Sequence, residues 1–413
     1  MAVLSAVTVL EVGPGTATAF CGKLLADAGA RVIKIEPPGG DPSRFDGPRE
    51  RLRDPERSPT FLNLNTGKES LVLDLETPAG IDVLRQLAAR ADVLLESLAP
   101  GSLAGRGLSY EALRDANPRI VLASITPYGQ TGPYRDHVAT DITLFASSGA
   151  MYREGLPDRE PLRYGGHMPR TYPGNLAAGF IVAALFRRRT TGRGDWLDLA
   201  EMDAWAAHPN QVSRRLQTEY SGQLEEREDT KTAATAAAAG FGRGTYRCLD
   251  GYVTFLPLGD RHWPRLVEFV EDPGLLEDPR FATREARRDH RADWEEIYTA
   301  YVGSHTVAEI FTSAQRAGIP SGPLNDARRL LLDPQLAERD FFRETTHAGA
   351  GTLRHTGPVA KSLGVDPIWA EFGPAPALGA HTRDILEREL ALSVGEVEAL
   401  TRSTATVAAH GER

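Results

Sequence analysis

Three groups of residues have types and spacings that could do chemistry. Gly13-Pro14-Gly15 stands between a β-branched run and a helical pattern, where backbone N–H groups could cradle a pyrophosphate. The full G-x-G-x-x-G is absent, because Thr18 occupies the third glycine position and no acidic ribose anchor follows, so a plain strand–helix turn competes with that reading. His167, in Gly165-Gly166-His167, is the histidine of most interest, since the glycines allow a ligand to approach it closely; the bland alternative is a hydrogen-bonded loop residue. Residues 240–244 (GFGRG) could close over a ligand or serve only as linker. Other chemistries are not favoured. The 10 histidines show no H-x-x-x-H or H-E-x-x-H spacing, and Cys21 and Cys248 are too far apart to suggest a metal site or a disulfide framework. No metal is therefore expected. No G-x-S-x-G elbow is present either.

The elements that must position these residues alternate. Residues 8–12 read as a strand, 17–28 as a helix stopped by Gly29, and 31–35 as a second strand. The rhythm continues with strands at 70–73, 93–96 and 120–124 and helices at 78–89 and 110–115. Such βαβ alternation predicts a parallel, doubly wound, Rossmann-like core with right-handed crossovers. Residues 37–59, rich in Pro, Gly, Arg and Asp, are expected to stay out of the core as a lid or solvated loop. Residues 174–186 (GNLAAGFIVAALF) predict an apolar helix with arginines 187–189 on its last turn, followed by a strand at 196–199 and a helix at 202–216. Charge-dense and then Ala/Thr-rich sequence over 219–244 marks a linker. The expected division is a large α/β domain over 1–218, a smaller α+β domain over 245–330 opening with a hairpin at Asp250-Gly251, and a C-terminal segment, 331–413, returning to the large domain. A final helix is predicted at 382–392 and a short strand at 352–355.

Bulk properties fit that picture. The 413 residues suggest two domains, 41% apolar content supplies a core, and a net charge of −9 argues against a nucleic-acid surface. No apolar run approaches the roughly 20 residues that cross a bilayer, and the N-terminus reads as a strand rather than a signal peptide, so a cytoplasmic location is expected.

Several segments, in order, resemble the family III CoA-transferases, the group of formyl-CoA transferase, carnitine CoA-transferase and α-methylacyl-CoA racemase. They are 24–36 (LLADAGARVIKIE), 37–44 (PPGGDPSR), 62–74 (LNLNTGKESLVLD), 91–101 (ADVLLESLAPG), 128–133 (YGQTGP), 191–194 (TGRG), 246–252 (YRCLDGY), 319–325 (IPSGPLN) and 333–342 (DPQLAERDFF). The resemblance implies a Rossmann-type large domain, a small domain and two interlocked chains, with CoA or acyl-CoA as substrate and no permanently bound cofactor. The positions matching the family's CoA contacts are Thr16, Ala17, Asn65, Lys68, Leu98, Pro100 and Arg106. Lys68 and Arg106 would meet the phosphates. A family arginine is replaced by Pro37, with Arg44 the expected substitute.

The catalytic position departs from the family. Its transferases use one Asp, which forms a mixed anhydride and then an enzyme–CoA thioester. Counting back from TGRG, that position is Arg170, and residues 161–194 contain no Asp or Glu. A guanidinium stays protonated and cannot be the nucleophile. The racemase histidine before the D-I pair is Thr140, preceding Asp141. Three readings follow. The chain could be the subunit of a heteromeric CoA-transferase that lacks its own nucleophile. It could act alone on an acyl-CoA and a carboxylic acid, through a relocated carboxylate or direct attack, with Arg170 and His167 holding the acceptor or the oxyanion. Or it is a CoA-binding or regulatory protein, or a lyase-like enzyme, on the same fold. The expected assembly is a homodimer or a heteromer with a catalytic paralogue.

Overall fold

The computed structural model describes residues 2–47, 54–224, 227, 241–257, 260–364, 369–371 and 373–400. By internal contacts the chain divides into two units: Met1–Glu154 with Pro161–Glu225 and Glu338–Arg413, and Gly155–Glu160 with Glu226–Ala337. The smaller unit thus runs a few residues past the expected boundary at 330 and takes in a six-residue excursion from within the large one. Most of the predicted linker, including 228–240, lies outside the described residues.

The large unit is built on a six-stranded parallel sheet: β1 (Thr8–Val12), β2 (Arg31–Glu36), β3 (Glu69–Val72), β4 (Val93–Glu96), β5 (Val121–Thr126) and β6 (Asp195–Ala200), in the order β3-β2-β1-β4-β5-β6. Alternate residues feed two cores. Leu10, Val12, Ile33 and Leu94 pack with the helices Pro78–Ala88 and Thr382–Leu390, while Val9, Val32, Val93 and Leu95 pack with Thr16–Asp27 and Met168–Thr191. Burial on both faces explains why these strands read as continuous apolar runs.

The apolar helix is longer than predicted, Met168–Thr191, because Pro173 sits inside it without breaking it. Proline cannot donate to the carbonyl four residues back. That carbonyl, of Pro169, accepts instead from Trp205 Nε1 at 2.9 Å. Gly192, left-handed at φ 69, closes the helix. The helix expected at 202–216 is two, Glu201–Ala206 and Pro209–Ser221, divided ahead of Pro209. The antiparallel pair Phe342–His347 and Gly351–Thr356 also belongs to the large unit.

In the smaller unit, Gly244–Cys248, Gly251–Phe255 and Ser321–Pro323 form an antiparallel sheet. Cys248 pairs with Gly251, so the hairpin turn is Leu249–Asp250, one residue before the predicted centre. Trp294, Tyr298, Phe255 and Ile310 fill its core.

The segment after β2 corrects one expectation. Residues 48–53 lie outside the described residues, but Pro42–Phe45 is a tight 3-10 turn and Arg44 in it is fully buried. Its guanidinium holds both oxygens of Glu36 (2.7 and 2.8 Å), reaches Glu56 at 3.2 Å and lies 3.7 Å over the Phe61 ring. This part of residues 37–59 is anchored to the core, not a free loop.

Candidate functional site

An open parallel sheet offers a ligand crevice beyond the C-terminal ends of its strands. There β1 ends at Gly13-Pro14, β2 at Glu36-Pro37, β3 before Leu73 and β4 before Leu98, and these residues with Asp41 and Arg106 enclose a cavity of about 240 Å³. Gly13 has φ 91, and a Cβ there would lie 3.0 Å from Leu98 Cδ2, so glycine permits the close approach of the two strand ends. Arg106, partly exposed, closes one end of the cavity. It donates to the Leu75 carbonyl (3.1 Å) and to exposed Glu76 (2.5 Å). A second, more open cleft of about 820 Å³ adjoins it, sharing Leu75, Glu76 and Arg106.

Beneath the crevice lies a layer of buried charge. Glu11 accepts from Lys34 (2.9 Å) and Lys68 (2.7 Å), and Lys34 also meets Asp41 at 2.8 Å. The three protons of Lys68 go to Glu11, the Ala19 carbonyl (2.8 Å) and Asn65 Oδ1 (2.9 Å). Burial lowers Lys68 to about 8 despite Glu11. Burial also works against the charge of Lys34, but Glu11, Asp41 and Glu36 outweigh it and hold its pKa above the ordinary value.

The expected CoA contacts therefore separate into two sets. Leu98 and Arg106 line the crevice. Thr16 begins the helix that leaves it, and the Pro100 carbonyl is taken by Arg135 at 3.0 Å. Ala17 is buried, its carbonyl close beneath Gly174. Arg44, Asn65 and Lys68 are all buried beneath the crevice, Arg44 and Lys68 against carboxylates and Asn65 against Lys68 and the Phe61 carbonyl.

A second cluster gathers around Arg170. His167 precedes the first turn of Met168–Thr191 and Arg170 lies within it; Asp141 and Glu201 begin the helices Asp141–Ser147 and Glu201–Ala206. Arg170 Nε donates to Asp141 Oδ1 at 3.0 Å, Nη2 to the Ala139 carbonyl at 3.0 Å, and Nη1 to Glu201. His167 lies between Asp141 (Nδ1, 3.2 Å) and Asp46 (Nε2, 3.0 Å). Glu201 is 2% exposed, and burial raises its carboxyl to about 7 against the opposing pull of Arg170, with Asp141 adding to the rise.

The structure places Arg170 and His167, paired in the sequence reading, among three carboxylates that the reading did not assign to them. They come from residues 46, 141 and 201, outside the stretch 161–194 searched for the nucleophile. One signal was available: Glu201 stands two positions past the predicted strand 196–199, and directly after the observed strand Asp195–Ala200, at the end where α/β sheets place functional groups. Among the described residues no His/Cys/Asp/Glu group could hold a metal ion, and no helix is long and apolar enough to cross a membrane.

The 3-2-1-4-5-6 sheet with a crevice at its strand ends defines an α/β protein of the nucleotide-binding type. The chain belongs to CoA-transferase family III, whose profile matches residues 4–382. It is 31% identical to succinyl-CoA–D-citramalate CoA-transferase of Chloroflexus aurantiacus, covering 96% of each chain. It is 32% identical to BbsE, a subunit of the succinyl-CoA:(R)-benzylsuccinate CoA-transferase of Thauera aromatica, again over 96% of each chain. Among solved structures, a CAIB/BAIF family protein from Brucella suis superposes with a TM-score of 0.83 at 27% identity, over 94% of this chain and 99% of that one.

Proposed function

We propose that this chain is the CoA-binding subunit of a heteromeric CoA-transferase, acting between an acyl-CoA and a carboxylic acid, in which a paralogous partner supplies the nucleophilic carboxylate. The supporting observation is the Arg170 cluster. The position that carries the nucleophile in the resemblance holds a guanidinium, and that guanidinium binds both nearest carboxylates, Asp141 and Glu201. A carboxylate tied up by an arginine is a poor nucleophile, and a buried one does not reach a thioester. The BbsE relative, itself a subunit, is consistent with the reading. CoA is assigned to the crevice. Its phosphates would displace Glu76 from Arg106, and its pantetheine would lie along Gly13 and Leu98 in the narrower cavity. The succinyl-CoA relatives make a dicarboxylic acyl group the first donor to try.

A second reading, autonomous transfer, has one observation in its favour. Asp141 is part exposed and in contact with His167, so it is the carboxylate of the cluster that a substrate could meet. Mass-spectrometric exchange separates the two. Purified chain is given succinyl-CoA and isotope-labelled carboxylic acids, alone and as the complex isolated from its host. Labelled acyl-CoA from the complex only is the expected result; turnover by the pure chain, abolished by Asp141→Asn, would establish the second reading.

A further inference from the structure

In the smaller unit, Gly244–Cys248 and the helix Arg291–Gly303 border a cavity of about 750 Å³ that the CoA reading does not use. The period of two along the strand puts Thr245 and Arg247 on its exposed side and Cys248 in the core, while Arg243, just before the strand, and partly buried Tyr246 also line the cavity. The cavity wall therefore carries Arg243, Thr245 and Arg247, and Arg291 faces it from the first turn of the helix. One carboxylate lines it, Glu295, 3.7 Å from Arg291. Both its oxygens accept from the Tyr246 hydroxyl, at 3.0 and 3.2 Å. Arg243 and Arg247 have no carboxylate partner among the described residues. Three guanidinium groups against one carboxylate leave an excess of two positive charges on one cavity wall. Such a wall repels itself when empty and is relieved by a bound anion, which guanidinium groups hold through charge-assisted, often bidentate hydrogen bonds. The volume lies in the range of small-molecule sites and far exceeds what a single inorganic anion fills, so the charge belongs to an organic body.

We propose that this cavity binds an organic dianion, a short molecule carrying two carboxylates or one phosphate monoester. The cavity shares no lining residue with the crevice assigned to CoA, and all its lining residues belong to the smaller unit.

The test is calorimetric titration of the full chain with succinate, glycerol 3-phosphate and, as a monoanion, butyrate. Saturable binding of at least one dianion, one per chain, is expected, with butyrate weaker by about tenfold or more, the scale of one lost charge-assisted contact. Arg243→Gln and Arg247→Gln should each weaken the dianion about tenfold without lowering the melting temperature of the free chain, because neither side chain has an ion pair to lose and each substitution eases the repulsion along the wall. The preferred dianion identifies the headgroup. Arg106→Gln, in the crevice of the large unit, should leave dianion binding intact. The proposal is overturned if neither dianion saturates, if binding survives both arginine substitutions, or if it is lost in Arg106→Gln instead.

Discussion

Lys68 and Arg106 were expected to act alike, as cations for phosphate, and burial separates them. Arg106 remains partly exposed beside an exposed Glu76, whereas Lys68 is sealed against Glu11. Lys68→Met removes one of the two cations on buried Glu11, together with the hydrogen bonds to the Ala19 carbonyl and Asn65 Oδ1, while Lys34 stays paired with Glu11. The urea midpoint should therefore fall, by less than the cost of a fully stranded buried charge, about 3–5 kcal/mol. Unchanged stability with weaker CoA binding would return Lys68 to the ligand. Glu201 supplies a second test. Its carboxyl is raised from 4.5 to about 7, so between those values the folded chain holds more of its proton than the unfolded chain. Its contribution to stability is thus full below 4.5 and is lost as pH rises toward 7, with a limiting slope of about 1.4 kcal/mol per pH unit. Glu201→Gln keeps the neutral form throughout. Its stability relative to the unsubstituted chain should improve between pH 5 and pH 7, as read from denaturant midpoints; parallel pH profiles would contradict this assignment.

At the scale of elements, much was legible because the signals were local. β1 and β4 lie where their apolar runs place them, and the other sheet strands differ by a residue or two. Illegible were features made by distant partners. Pro173 reads as a helix breaker until Trp205, 32 positions on, takes up the orphaned Pro169 carbonyl. Arg44 reads as a loop residue until Glu36 and Phe61 enclose it. The Arg170 cluster is likewise assembled from four segments, of which residue spacing exposed one. Close packing of two helices rests on Gly174, where a Cβ would stand 2.3 Å from the Ala17 carbonyl oxygen. Gly174→Ala must push Thr16–Asp27 away from Met168–Thr191, and overpacking of this kind costs about 1–3 kcal/mol. A lower melting temperature is expected, with weaker CoA binding because the displaced helix starts at the crevice. An unchanged melting temperature would show that the helices yield without strain.

For the whole molecule, the proposed heteromer would differ from an autonomous enzyme in the identity of the chain that becomes covalently modified. In the transferase chemistry implied by the family, a carboxylate oxygen attacks the thioester carbonyl and expels CoA thiolate, leaving a mixed anhydride. The thiolate then attacks the enzyme-side carbonyl of that anhydride, releases the acyl group as free acid and leaves an enzyme–CoA thioester. The modified chain gains the mass of CoA less water. Here Arg170 offers no carboxylate, Glu201 is buried, and Asp141 is held by both Arg170 and His167. This chain should bind CoA but stay at its native mass when incubated with succinyl-CoA, whether alone or in the complex. The added mass should fall on the partner, and substituting Asp141 by Asn should not change that. Intact-protein mass spectrometry after rapid acid quench reads the outcome directly. An adduct on this chain that disappears in Asp141→Asn would place the nucleophile here and make Arg170 its clamp rather than its replacement.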